Sequence, residues 1–141
     1  MKIIGIDHIG IAVKEIGKAA GFYENVLGLP IAGEEAIADR QLKIAFLETG
    51  NARLELIEPT SDDSTIAKFL ANRGEGIHHF CLLVDDIEQA LQEMSQKGYR
   101  LIDETPRQGA EGSKIAFIHP STAGGVLIEL KQLADKKASQ K

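Results

Sequence analysis

The sequence predicts an α+β fold in which a strand-helix-strand-strand-strand unit occurs twice, and three observations carry that prediction. The order of hydrophobic periodicities in the first half returns in the second. His8 and His79 hold the same place in the opening strand of each half, within Ile6-Asp7-His8-Ile9-Gly10-Ile11 and Ile77-His78-His79-Phe80-Cys81-Leu82. Glu55 and Glu129 sit inside the closing strand of each half, as Leu54-Glu55-Leu56 and Ile128-Glu129-Leu130. The two βαβββ modules are expected at residues 1–60 and 74–132, joined by a short helix at 64–73, within one domain covering 1–141. Each half is too small to close a core alone, so the two sheets are expected to join into one curved, open-barrel trough.

The elements follow in order. Residues 2–13 alternate as a strand, with Ile9, Ile11 and Val13 on one face and His8, Gly10 and Ala12 on the other. Over residues 14–27 the period lengthens, and Ile16, Ala19, Ala20, Tyr23 and Leu27 form a helical stripe that Gly28 ends. Extended segments follow at 29–38, 42–47 and 52–57, the last two separated by the turn signal Gly50-Asn51. Ser64 reads as the N-cap of a helix over 65–73, and Gly74 and Gly76 lead into the central strand at 77–84. Asp85-Asp86 opens a second amphipathic helix, with Ile87, Ala90, Leu91 and Met94 as its stripe and Gly98 as its stop. A short strand is predicted at 99–102, a loop at 106–112, and strands at 114–118 and 126–130. The lysine-rich tail, 134–141, is expected to fray.

Composition narrows the function classes. With 43% hydrophobic and 26% charged residues the chain has the make-up of a soluble globular domain. A net charge of -5 argues against a nucleic-acid partner, because binding phosphates needs a basic surface. The first residues lack a long apolar run and reach Asp7 at once, which predicts neither a secretory signal nor a membrane span. One cysteine, Cys81, cannot make an internal disulfide, so a reducing cytoplasmic setting is expected; as a small strand residue it reads as core rather than nucleophile.

Carboxylates and imidazoles within apolar strands are the chemical anomaly. Either glutamate alone would be an ordinary polar position on an amphipathic strand. All four polar residues at repeat positions make a stronger case: His8, Glu55, His79 and Glu129 suit a divalent first-row ion, with open positions for water or substrate. His78 points the other way from His79 and reads as packing or support, as does Asp7 at the equivalent repeat position. His119, before Pro120 at a strand end, reads as structural. No glycine-rich phosphate loop is present.

Several stretches carry a family resemblance: Ile6-Asp7-His8-Ile9, Phe22-Tyr23 with Leu27-Gly28-Leu29, Leu54-Glu55-Leu56-Ile57-Glu58-Pro59 and Asp63-Ser64-Thr65-Ile66-Ala67-Lys68-Phe69-Leu70. They continue with Gly76-Ile77-His78-His79, Phe117-Ile118-His119-Pro120 and Gly124-Gly125-Val126-Leu127-Ile128-Glu129-Leu130. Together these resemble the vicinal oxygen chelate, or glyoxalase-like, superfamily and within it the methylmalonyl-CoA epimerases. The resemblance implies a divalent cation, cobalt or manganese first and zinc, nickel or magnesium as alternatives. It implies that His8, His79 and Glu129 hold that cation, with Glu55 at the fourth position. It further implies a homodimer, a place in propionate metabolism, and interconversion of (2R)- and (2S)-methylmalonyl-CoA by proton abstraction at C2 through a metal-stabilised enolate. Glu129 is the expected acid-base group on one face, and Glu55 or Lys43 on the other. Lys68, Arg107 and Lys114 are rim candidates for the CoA moiety, and Glu111 stands where related sequences often carry His. The same superfamily leaves other readings open: a glyoxalase-type lyase or isomerase on a thiol adduct, a non-haem iron dioxygenase, or a non-catalytic small-molecule-binding protein.

Overall fold

A computed structural model describes residues 1–134; the tail expected to fray therefore lies outside the described residues, apart from Ala134. Eleven helices and strands follow one another: β1 (Ile3–Ala12), α1 (Ile16–Asn25), β2 (Ile31–Ile37), β3 (Leu42–Glu48), β4 (Arg53–Pro59), α2 (Thr65–Arg73), β5 (Gly76–Val84), α3 (Ile87–Gln96), β6 (Arg107–Gln108), β7 (Lys114–Ile118) and β8 (Ile128–Gln132). This is βαβββ twice, with α2 between, as the periodicities predict. By its contacts the chain forms two compact units, one of His8–His79 and one of Met1–Asp7 with the chain from Phe80 onward.

In the unit of residues 8–79 the strands lie in the order β2-β3-β4-β1. β2, β3 and β4 are antiparallel neighbours, while β1 runs parallel to β4 with Gly10 opposite Glu55. Helix α1 covers one face, where Val13, Ile16, Ala20, Ala45, Leu47 and Leu56 make the core and Ile11, Ala19 and Tyr23 pack on it. Leu47 and Leu56 are fully buried, and truncating such a side chain costs about 2–5 kcal/mol. Residue Glu15 at the N-cap of α1 makes no side-chain cap, and Glu58 of β4 supplies one from outside by accepting from the Ile16 N–H at 2.7 Å. Leu27 departs from the expected stripe. The helix ends at Asn25, the chain reverses at Gly28 with φ 71°, and Leu27 is left exposed. Ser64 caps α2 as predicted, its hydroxyl accepting from Ala67 N–H at 3.0 Å, a bond worth about 1 kcal/mol.

In the other unit the order is β5-β8-β7-β6, with β8 parallel to β5 and antiparallel to β7. Ile87, Ala90 and Leu91 of α3 pack on Val84, Ala116, Ile118 and Leu130. The predicted strand at 99–102 reduces to one bridge, Leu101 to Ile118. Asp103 is the reason: Ile102 and Asp103 both donate to the Phe117 carbonyl, and the Asp103 carboxylate takes the Phe117 N–H at 2.8 Å in place of a ladder carbonyl. The second strand of this half comes later, at Arg107–Gln108, inside the stretch predicted as loop. The last strand also starts later than expected, at Ile128, because a 3-10 turn over Pro120–Ala123 and the left-handed Gly124 intervene.

The two aspartates before α3 divide their labour. Asp86 caps the helix by accepting from Gln89 N–H at 3.1 Å, while Asp85 accepts from the Lys2 N–H at 2.8 Å. The Lys2 amide beside Asp85 holds its carboxyl below the usual carboxylate range. A lowered folded-state pKa gives stability that is present above the unfolded value of about 3.9 and is lost as pH falls through the folded value. Asp85→Asn is therefore expected to lower Tm slightly at neutral pH and to flatten the loss of Tm below about pH 4. A Tm-against-pH series parallel to that of the unsubstituted protein would count against this role.

Candidate functional site

Alternation within β1 and β5 sends one histidine from each strand into the interior. His8 and His79 are 3% and 4% exposed, far below the usual value for imidazoles, so their ring nitrogens meet protein groups rather than bulk water. Their Nε2 atoms face each other at 3.1 Å, with the rings perpendicular and their centroids 5.2 Å apart. Room for this comes from Gly10. A Cβ at that position would overlap the His79 ring, standing 2.6 Å from Nδ1 and closer still to Cε1. Glycine is needed here for close approach, since its own backbone carries no positive φ.

The far side of each ring has its own neighbour. Glu55 of β4, 3% exposed, brings Oε2 to 3.2 Å from His8 Nδ1. His78 brings its Nδ1 to 3.0 Å from His79 Nδ1. A carboxylate beside His8 Nδ1 favours the tautomer with its proton on that nitrogen, and in that tautomer Nε2 is the acceptor side of the ring. His79 Nε2 faces that nitrogen at 3.1 Å; with its proton on Nε2 it donates a hydrogen bond to His8, and with its proton on Nδ1 the two rings present a pair of lone pairs to one cation. The separation suits neighbouring ligands of one first-row ion, whose bonds to imidazole are about 2.0–2.1 Å long. The residues present thus fit a divalent cation.

His8, Glu55 and His79 are accordingly brought together. Lys43 is not. It lies across the ladder from Glu58, three positions from Glu55, so the alternation places it on the opposite face of the sheet. There its ammonium is 3.5 Å from the Glu58 carboxylate that caps α1, with the side chain 39% exposed.

Glu129 belongs to the other unit. It is 4% exposed in the middle of β8, opposite Cys81 on one side and Phe117 on the other. Two residues further along the same strand stands a buried cation that sequence reasoning missed. Lys131, 3% exposed, pairs with Asp7 at 3.0 Å. The available signal was its alternation with Glu129, which sends both side chains to one face; the partner lies too far along the chain to be read from pattern. Cys81 is fully buried, in keeping with a core role.

The rim candidates are all exposed. Arg107 pairs with Asp103 at 3.0 Å and Lys114 with Glu88 at 3.2 Å, while Lys68 stands on α2. Glu111 takes a left-handed backbone, φ 57°, within a 3-10 turn. His119 is structural as read, its Nδ1 accepting from Ser121 N–H at 3.1 Å.

Residues 7–117 match the Glyoxalase/Bleomycin resistance protein/Dioxygenase superfamily. Mitochondrial methylmalonyl-CoA epimerase of Bos taurus is 38% identical over 90% of this chain and 73% of its own length. The chain belongs to the methylmalonyl-CoA epimerase family of that superfamily. Solved structures agree on the fold. Methylmalonyl-CoA epimerase of Mycobacterium tuberculosis is similar with a TM-score of 0.90 and 40% identity, covering 97% of this chain and 93% of that one. A Streptomyces coelicolor methylmalonyl-CoA epimerase variant in complex with 2-nitronate-propionyl-CoA gives a TM-score of 0.88 at 34% identity, over 94% and 96% of the two chains. The α+β glyoxalase fold that the family resemblance implies is therefore the fold of this chain. Among the described residues no helix is long and apolar enough to cross a membrane.

Proposed function

We propose that this chain interconverts the (2R) and (2S) forms of methylmalonyl-CoA by removing the C2 proton from one face and returning it to the other. His8, His79 and Glu129 would hold a divalent cation, cobalt or manganese, and Glu55 would steady His8. The observation that carries this reading is the pair of buried imidazole nitrogens facing each other at 3.1 Å. Support for including Glu129 comes from strand register. Within its own unit Glu129 is buried in the middle of β8, opposite the buried Cys81. Support for the substrate comes from the family and from its solved relatives. One of those holds 2-nitronate-propionyl-CoA, a planar anion at the carbon that would lose its proton.

The chemistry asks for two things. Negative charge grows on the thioester oxygen as the C2 proton leaves, and the carbon between thioester and carboxylate becomes planar. A divalent cation held by these side chains supplies positive charge to the oxygen that becomes negative. The chain must then exclude water from the planar carbon and carry protons on both faces. Glu129 is the proposed carrier on one face; 4% exposed on its strand, it is shielded from bulk solvent. Of the two candidates for the other face, Glu55 is favoured, through the carboxylate oxygen not turned to His8 Nδ1, over Lys43, whose ammonium lies among the α1-facing side chains with Glu58. The homodimer and the cytoplasmic setting belong to this proposal as well.

The test is incubation with methylmalonyl-CoA in heavy water. Deuterium is expected to enter at C2, to stop on chelation, to return with cobalt or manganese, and to be absent in His79→Ala. Uptake that survives exhaustive chelation would remove the metal from the proposal, and no uptake with any divalent ion would remove the reaction.

A further inference from the structure

His78 adjoins the candidate ligand His79 but faces helix α2, where its ring meets Phe69 edge-on with centroids 4.9 Å apart. Packing alone would account for that ring contact. It does not account for the other end of the imidazole, where His78 Nδ1 lies 3.0 Å from His79 Nδ1. Two nitrogens at this distance share one proton, and the tautomers of the two rings are therefore linked.

We propose that His78 is the positioning residue for His79: its Nδ1 accepts the His79 Nδ1 proton and so keeps the His79 Nε2 lone pair directed at the cation. The inference rests on the reading of His79 as a metal ligand. With its proton on Nδ1, His79 turns the Nε2 lone pair toward His8 Nε2, 3.1 Å away, where both nitrogens can serve one ion. His78 in turn carries its own proton on Nε2. The two histidines of the site are thus supported differently. A carboxyl group, Glu55, backs His8 at 3.2 Å, whereas a second imidazole backs His79 at 3.0 Å. A carboxylate makes its histidine a stronger donor to a cation than a neutral acceptor does. His79 is accordingly the ligand whose orientation depends on a second imidazole, and the one most sensitive to its loss.

His78→Phe keeps a ring against Phe69 and removes the acceptor; His78→Asn restores an acceptor oxygen on a short side chain. The probe is Zn²⁺, diamagnetic and a good imidazole binder, with affinity measured by chelator competition on the purified chain. His78→Phe is expected to weaken Zn²⁺ binding about 10- to 100-fold with Tm unchanged, and His78→Asn to recover most of that loss. Nitrogen-15 spectra of the imidazoles in the metal-free protein give an independent readout. His79 is expected as the Nδ1–H tautomer in the unsubstituted chain and as a mixture in His78→Phe. Unchanged Zn²⁺ affinity in His78→Phe overturns the proposal, as does lost affinity with the His79 tautomer unmoved. Should the unsubstituted chain bind no Zn²⁺, the metal reading fails, and the tautomer shift still decides whether His78 sets the state of His79.

Discussion

Gly10→Ala is expected to abolish divalent-ion binding while leaving a folded protein. The added methyl overlaps the His79 ring, so the imidazole must turn away from His8 or the strands must separate. Overpacking of this kind costs about 1–3 kcal/mol of stability, which a domain of this size survives. The geometric loss is larger in its consequences, because a ligand displaced by about 1 Å from its productive position lowers rates on the order of 100-fold. Gly5→Ala in the same strand is the control, since a Cβ there meets nothing within 4 Å and the backbone accepts it. Calorimetry with cobalt should show no binding to Gly10→Ala and unchanged binding to Gly5→Ala. Equal affinity in the two variants would mean that the His79 ring does not need the space left by Gly10.

Glu129→Gln is expected to lower epimerisation about 10²- to 10⁴-fold, the usual worth of a general acid-base group. Glutamine fills the same volume and keeps one oxygen, so the fold and part of the cation affinity should survive, but an amide cannot take up a proton at neutral pH. A two-carrier reaction makes a sharper prediction. One epimer should still exchange its C2 hydrogen with heavy water through the remaining carrier, without inversion, while the other should stop exchanging. Following each epimer separately by proton NMR checks this. Equal slowing of exchange for both epimers would mean that Glu129 acts on binding alone, and turnover within about tenfold of the unsubstituted chain would end its role as a base.

Much of the scaffold for these two residues is legible in the chain as written. A period of two in residues 6–13 and 77–84 already sets His8 with Gly10 and His79 with Cys81, and the predicted helices at 65–73 and 87 onward appear where their caps place them. The misses share a cause. The 99–102 segment has strand-like residues, but the Asp103 side chain replaces a ladder carbonyl, and nothing local announces that the acceptor is needed opposite Phe117. Lys43 is a candidate through the family resemblance alone, and the strand pairing that sets it opposite Glu58, on the helix-facing side, is equally absent from the local pattern.

By itself the sequence determined the doubled βαβββ order, the polar residues inside apolar strands, and the choice of imidazole and carboxylate as their chemistry. Tertiary structure alone decided which atoms meet: Nε2 of His8 against Nε2 of His79, Glu55 and His78 behind the two rings, Lys131 against Asp7. The physical reason is range. Periodicity and capping act over a few residues and leave a mark in the local pattern, whereas His8 and His79 are separated by 71 positions and Asp7 and Lys131 by 124. Contacts across such separations follow from strand register and close packing, which no short stretch of chain encodes.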